Sequence, residues 1–412
     1  MTPTPLLDDP FAQCAQAARE HQLQPHLPAL IDLSIGNPDL VPDTYWRARL
    51  AYYVGKVDLH GYGLAREDVR AALLANIAHY YERRFLRPHG QAFETTADNV
   101  TELQGTKEGI LFALMAVLGK GDVLLLPDPS YPVYAHTAAL LGAEVVRIPT
   151  DEAGQPRLST LDPATLSRAK VLVLCSPANP TGQLMTRQTL TRAIALAQQH
   201  GLHILVDRAY AEVIPPTERH RIAHSAAWPL PGARDCVLEL HSLSKAASLA
   251  GWRVGFAVGS AAWISRLRAA RQATDFGLFL PIQRVVTQML PQLEAIAASA
   301  SDTYHARASD FAARATALGW PMRPPEGTFF LWASVPACFG RDDVRAMHHL
   351  LQETGILVAP GRGFGAQGRG HVRLAMVADE ATLETALHRL AHWSALSASR
   401  PATATPSCLM LP

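Results

Sequence analysis

Through the middle of the chain, short apolar runs alternate with longer amphipathic stretches. The runs at 123–126, 145–148, 171–175, 204–207 and 237–240 carry almost no polar position, which marks them as strands buried on both faces. Between them, apolar residues recur at helical spacing. The clearest case is 186–200, where Leu190, Ile194 and Ala197 share one face. Buried strands alternating with amphipathic helices predict a mostly parallel sheet covered on both sides. A further run, 254–258, reads as a strand closing this region.

The flanks read differently. Residues 10–22 pattern as a helix, and 31–35 alternate like a strand before the turn Gly36-Asn37-Pro38-Asp39. Val69, Leu73, Ile77 and Tyr80 predict a helix with one buried stripe, and 110–118 an apolar helix ended by Gly119. After Leu280-Pro281 comes a long Ala-rich helical region, then a strand-like segment at 327–332 and a helix near 342–354. The run 356–358, a glycine-rich loop at 360–365 and a strand at 371–375 follow. This half predicts a smaller α+β domain packed with the N-terminal arm. The expected division is an arm and part of the small domain at 1–45, a large domain at 46–285, the small domain at 286–395 and a disordered tail at 396–412.

Composition narrows the class. A chain of 412 residues exceeds the ~250–300 at which single cores stop growing, so two domains are expected. Lysine and arginine number 37 against 36 acidic residues, which leaves no field for nucleic acid or anionic lipid. Five cysteines, far apart and without a Cys-x-x-Cys pair, argue against a disulfide framework and a metal site. The N-terminus lacks the pattern of a signal peptide, and no apolar run approaches the ~20 residues that span a bilayer. The expectation is a cytoplasmic protein with no membrane or nucleic-acid partner.

Candidate chemistry gathers where the parallel strands end, the edge at which such sheets bind ligands. Asp128-Pro129-Ser130-Tyr131-Pro132-Val133-Tyr134 follows one strand, and Ser176-Pro177-Ala178-Asn179-Pro180-Thr181-Gly182 another. Asp207-Arg208-Ala209-Tyr210 follows a third, and His241-Ser242-Leu243-Ser244-Lys245 a fourth. Each alone reads equally well as a turn or a helix cap; several at one edge do not. A lysine held there away from water is easier to deprotonate, as Schiff-base chemistry requires. Gly105-Thr106 at a helix start suits a phosphate or a plain N-cap. Arg373, inside an otherwise apolar strand, needs a carboxylate partner from the protein or from a ligand.

In this order and spacing the residues resemble the class I/II aminotransferases, fold-type I pyridoxal-phosphate enzymes, from about residue 31 to 392. The resemblance rests on Ser-x-Ser-Lys with an arginine eight residues on, the Asn-Pro-x-Gly turn and Asp-x-x-Tyr. It implies a three-layer α/β/α fold, pyridoxal 5′-phosphate as cofactor, and ping-pong transfer of an amino group from an α-amino acid to a 2-oxo acid. By the same resemblance Lys245 carries the cofactor as an internal aldimine and then serves as base and acid. Asp207 pairs with the pyridinium nitrogen, Asn179 and Tyr210 bond the phenolic oxygen, and Tyr131 stacks on the ring. Gly105, Thr106, Ser242 and Arg253 hold the phosphate, with Lys107 adding charge there or facing solvent. Tyr62 reaches the phosphate of the neighbouring subunit in a homodimer with shared active sites. Arg373 takes the substrate's α-carboxylate in a bidentate fork, assisted by Gly36 and Asn179.

Three points stay open at this level. Lyases, decarboxylases, cyclases and oxidases use the same fold and cofactor and form the alternative reading. Members selective for aspartate carry a second arginine near a Pro-containing turn, and Phe276-Gly277-Leu278-Phe279-Leu280-Pro281 has none. Nothing in the sequence gives Arg208 a task. A dinucleotide-dependent oxidoreductase is disfavoured, because no Gly-x-Gly-x-x-Gly follows the early strands. A transcription regulator is disfavoured too, because the segment before Ile31 is too short and too weakly basic to bind DNA.

Overall fold

The computed structural model describes residues 9–90 and 95–398, with side chains through 393. Its strands are β1 Ile31–Asp32, β2 Val100–Leu103, β3 Val123–Asp128, β4 Glu144–Pro149, β5 Ala169–Cys175 and β6 His203–Asp207. They continue with β7 Val237–Ser242, β8 Gly255–Gly259, β9 Phe330–Ser334, β10 Ile356–Leu357, β11 Ala359–Pro360 and β12 His371–Ala375. Seven of them form one sheet in the order β2-β8-β7-β6-β5-β3-β4. From β7 to β4 the neighbours are parallel, whereas β8 runs antiparallel to both β7 and β2.

Each face of the sheet is covered, giving the three layers expected. One face packs against the helices Glu67–Tyr81, Arg187–His200 and Leu280–Met289. The other packs against Thr106–Met115, Val133–Leu140 and Ala261–Gln272. The ladder also runs beyond the apolar runs: Asp128 is in register with Pro149, and Ser242 with Gly255. Backbone pairing does not depend on side-chain polarity, so polar residues become part of the sheet at its carboxyl edge.

β9, β11 and β12 form a small antiparallel sheet that packs with the helices Asp343–Thr354 and Glu380–Ala398. The N-terminal arm belongs to this second core. Cys14 and Ala17 of the helix Pro10–Gln22 are buried in it, and β1 pairs in parallel with β10. The strand expected over 31–35 is shorter than that, because Asp32 Oδ1 accepts hydrogen bonds from Ser34 N and Oγ and turns the chain. The residues around the boundary expected at 285 pack with the large core, through Val285, Val286 and Met289. The change of partner comes inside the helix Leu293–Ala317: Leu293 and Ala297 lie in the large core, Ala308 and Phe311 in the small one. The last helix runs to Ala398, past the start of the expected tail, and the rest of that tail lies outside the described residues. Among the described residues no helix is long and apolar enough to cross a membrane.

The sheet also explains Arg208. Its side chain is fully buried behind the carboxyl edge, with Nε 3.5 Å from Glu239 Oε2 on the neighbouring strand β7. Its other nitrogens donate to the carbonyls of Ser225 and Ile222, and its guanidinium lies 4.9 Å from the Phe85 ring. Glu239 in turn accepts from Ala227 N, Trp228 N and Tyr81 Oη. Burial alone would raise the Glu239 carboxyl, but the Arg208 charge and the hydrogen bonds from His241 and Tyr81 bring it down to about 2. The pair therefore fastens residues 222–228 to the back of the sheet. Arg208→Met leaves Glu239 buried without its cation, and a loss of about 3–5 kcal/mol is expected from urea unfolding. A loss below about 1 kcal/mol would make the pair a bystander.

Candidate active site

Lys245 sits on the short helix Leu243–Ala246, directly after β7. Ser242 starts that helix, its Oγ accepting from Ser244 N at 3.2 Å. Lys245 Nζ donates to the carbonyl of Gly36 at 2.6 Å, which ties the large domain to the N-terminal arm. Gly36 has to be glycine, since a Cβ there would lie 2.6 Å from Phe330 Cζ. Burial, followed by the charges of Arg373 and Arg253, pushes the Lys245 amine down to about 8.

Asp207 ends β6 and is 4% exposed. Oδ1 accepts from Ala209 N at 2.9 Å and Oδ2 from Tyr134 Oη at 2.8 Å. Burial raises its carboxyl above the usual range, and those two donors pull it back toward the charged form. Tyr134 lies on the helix Val133–Leu140, about one turn after Tyr131, whose ring it meets edge-on at 5.7 Å. Tyr210 is buried against the rings of Phe329 and Phe330 at 5.4 and 5.6 Å.

Arg373 comes from β12 of the small domain and is 1% exposed. Nη1 donates to Asn179 Oδ1 at 2.8 Å and Nη2 to the Ser34 carbonyl at 2.7 Å, while Nε has no partner among the described residues. The rings of Phe330, Phe364 and Phe11 lie 4.0, 4.9 and 5.2 Å from its guanidinium carbon. Burial brings its pKa down to about 10, which leaves it charged at neutral pH.

A third group lies at the start of the helix Thr106–Met115. Gly105 caps it at φ 86°, and a Cβ there would lie 2.5 Å from Arg253 Nη2. Arg253 is itself left-handed at φ 53°, an unusual conformation for a residue with a side chain. It donates to the Ala250 carbonyl at 2.8 Å and, at 3.4 Å, to that of Gln104.

One cavity of about 300 Å³ joins the three groups. Lys245, Asp207, Tyr210, Tyr131, Asn179, Gly36 and Arg373 line it, together with Thr106, Lys107, Ser242 and Arg253. Gly105 stands behind Arg253 without lining it. Tyr62 is not brought there. It is 69% exposed, its ring lies 4.6 Å from that of Phe276, and it opens with Arg253 onto a separate surface depression. Sequence reasoning gave Tyr134 no role and missed Phe11, Phe330 and Cys175, and all four also line the cavity. Among the described residues, Lys107, Lys245, Arg253 and Arg373 face one lining carboxylate, Asp207, so the cavity suits a ligand with more than one negative group.

The profile of the family described as "Aminotransferase class I and II" matches residues 28–390. The LL-diaminopimelate aminotransferase of Oleidesulfovibrio alaskensis is 30% identical over 364 residues, covering 88% of this chain and 91% of its own. The glutamate-pyruvate aminotransferase AlaC of Escherichia coli is 29% identical over 365 residues, covering 87% and 85%. Among solved structures, a probable N-succinyldiaminopimelate aminotransferase from Thermus thermophilus superposes with a TM-score of 0.84 at 31% identity, over 93% of this chain and all of its own.

The lowered Lys245 pKa has a direct readout on the cofactor-free chain. Only the neutral amine reacts with an amine-directed reagent. The labelling rate at Lys245, followed by peptide mapping, should rise about tenfold per pH unit and level off above about 8. A profile that keeps climbing toward the ordinary lysine value would show that burial does not act on this amine.

Proposed function

The chain belongs to the class I and II aminotransferases, and from that premise we propose that it moves an amino group from an α-amino acid to a 2-oxo acid with pyridoxal 5′-phosphate held at Lys245. The single observation behind this reading is that Lys245, Asp207 and Arg373 face one cavity. The donor set fits the cofactor. Lys245 can lose its proton near neutral pH, Asp207 offers a buried carboxylate for a ring nitrogen, and Arg253 with Ser242 and a helix N-terminus suits a phosphate. The absence of a side chain at Gly105 leaves Arg253 its place beside that terminus.

When bound, the cofactor supplies an aldehyde that takes up the amino group and a ring that accepts the electron pair released at Cα. The chain's own groups do the rest. Tyr134 Oη and Ala209 N favour the charged form of Asp207, which would then pair with a protonated ring nitrogen. Asn179 and Tyr210 would hold the cofactor's phenolic oxygen, and Tyr131 would cover its ring. Arg373 orients the substrate by its α-carboxylate, with the unpartnered Nε available for it. Lys245 Nζ takes the proton from Cα and returns it in the second step. The rings of Phe11, Phe330 and Phe364 keep water from the carboxylate end.

The chain acts as a homodimer. Val54, Val57, Tyr62, Phe276 and Phe279 are large exposed hydrophobics close in sequence in two segments; His60 bonds the Val54 carbonyl and meets the Phe279 ring, and the Tyr62 ring lies against Phe276. A second copy of the chain covers this patch and brings its Tyr62 to the phosphate. Free thiols at Cys14, Cys175, Cys236 and Cys338 fit a reducing, cytoplasmic setting.

The test is a half-reaction with the holoenzyme and single amino acids. Release of the matching 2-oxo acid in one stoichiometric burst supports transamination; ammonia or carbon dioxide instead points to a lyase or decarboxylase. Lys245→Ala should abolish the burst, and Asp207→Ala should slow it by about a thousandfold or more. Arg373→Lys should raise KM for the amino acid, because lysine cannot form the fork. An unchanged KM would remove Arg373 from carboxylate binding. Separately, Val57→Asp with Phe279→Asp should turn a dimer into a monomer in sedimentation; an unchanged mass would place the interface elsewhere.

A further inference from the structure

The glycine-rich loop beside Arg373, residues 361–368, is gripped from both domains by buried carboxylates. From the small domain, Asp343 has no exposed surface and accepts from Arg362 N at 2.7 Å and Arg362 Nε at 3.0 Å. From the large domain, Asp128 at the end of β3 is 5% exposed; its Oδ2 accepts from Ala366 N and its Oδ1 from Gln367 N, both at 3.1 Å. Ser130 N donates to the Phe364 carbonyl at 2.8 Å, and Arg147 Nη1 to the same oxygen at 3.3 Å. Gly365 is shaped to this contact. Its φ is 139°, and a Cβ there would overlap Asp128 Oδ1.

Between the two grips lies Phe364, with no exposed surface and its ring 4.9 Å from the Arg373 guanidinium carbon. Among the described residues, the hydrogen bonds of Arg373 use only Nη1 and Nη2 and include no carboxylate. Stacked rings therefore help to set the plane in which the unpartnered Nε lies. We propose that Asp128 is a positioning residue: from the large domain it holds loop 361–368 so that Phe364 keeps Arg373 aimed at the carboxylate of the ligand. This rests on the aminotransferase reading only for the identity of that ligand as an amino acid. With an amide in place of its carboxylate, one of the two loop N–H groups loses its acceptor and faces a donor instead, the loop relaxes and the ring leaves the guanidinium. The hydrogen bonds of Lys245, Asp207 and Arg253 do not pass through this loop.

The experiment compares the holoenzyme with its Asp128→Asn variant on an amino acid and on the amine that lacks only the carboxylate. The expected result is a KM for the amino acid raised about tenfold at nearly unchanged kcat, with the amine processed as before. Amide exchange at Ala366 and Gln367 should accelerate. Binding of 3-phenylpropionate, a plain carboxylate, should weaken by a similar factor in calorimetry. Gly365→Ala breaks the same contact from the other side; it should give the same split, and the double variant should be no worse than either single one. It also carries the test if Asp128→Asn does not fold. Equal losses on amino acid and amine, a fall in kcat at constant KM, or a raised KM without faster exchange would each overturn the proposal. A wild-type enzyme that releases no 2-oxo acid would instead defeat the aminotransferase reading, and 3-phenylpropionate binding would still decide the role of Asp128.

Discussion

Lys245 is useful only if its amine can be neutral near physiological pH, and the protein achieves this by withholding water. In contact with solvent, the charge of Arg373 would be screened and the amine would return toward its ordinary value. Burial is the larger of the influences that lower it to about 8, and the two arginines act in the same direction. The same exclusion of water puts Asp207 under opposite pressure, since a buried carboxyl tends to keep its proton. The two groups therefore need different support. Lys245 is left with one neutral acceptor, the Gly36 carbonyl, whereas Asp207 receives two donors. Tyr134 counts among the site's essential parts on this argument, because its hydroxyl is one of those two donors.

A sheet edge can carry such groups because what lies behind it does not yield. β3 and β7 are buried at every position, and the short segments that follow them hold Tyr131 and Lys245. Arg208 and Glu239 close the back of the same edge, tying the segment 222–228 to β6 and β7. Two adjacent residues thus face opposite duties: Asp207 turns to the cavity and Arg208 away from it. This alternation is what a strand end imposes on neighbouring side chains.

The parallel sheet, both cores and most of the helices are legible in the sequence, because burial on two faces leaves continuous apolar runs and burial on one leaves a stripe. The helix expected over 10–22 is found as Pro10–Gln22, and the run 371–375 as β12. Strand ends are less legible. Asp128 and Ser242 are polar yet stay in the ladder, and no side-chain pattern records a backbone hydrogen bond. Lys245, Asp207 and Asn179 can be picked out because polar residues cluster where apolar strands end, and Arg373 because a charge inside an apolar strand is costly and needs a reason. Tyr134 and Phe11 give no such signal. A tyrosine on a helix and a phenylalanine in an N-terminal arm read as packing, and what singles them out is contact with residues far away in sequence. Arg208 fails for the same reason, since its meaning depends on which strand lies next to β6.

The site is therefore a property of docking between the two domains rather than of either alone. The Lys245–Gly36 bond spans 209 residues of chain, and the bonds from Arg373 to Asn179 and Ser34 span 194 and 339. Lys245, Asp207 and Arg253 come from the large domain, whereas Arg373 and the aromatic rings around it come from the arm and the small one. Separating the two domains would expose Arg373 and Lys245 together and remove the desolvation on which both pKa shifts depend. Docking thus does more than bring two sets of residues within reach of one ligand. It creates the low-polarity surroundings in which the lysine becomes a base and the arginine's charge is felt at full strength, so binding geometry and acid–base chemistry arise from the same contact surface.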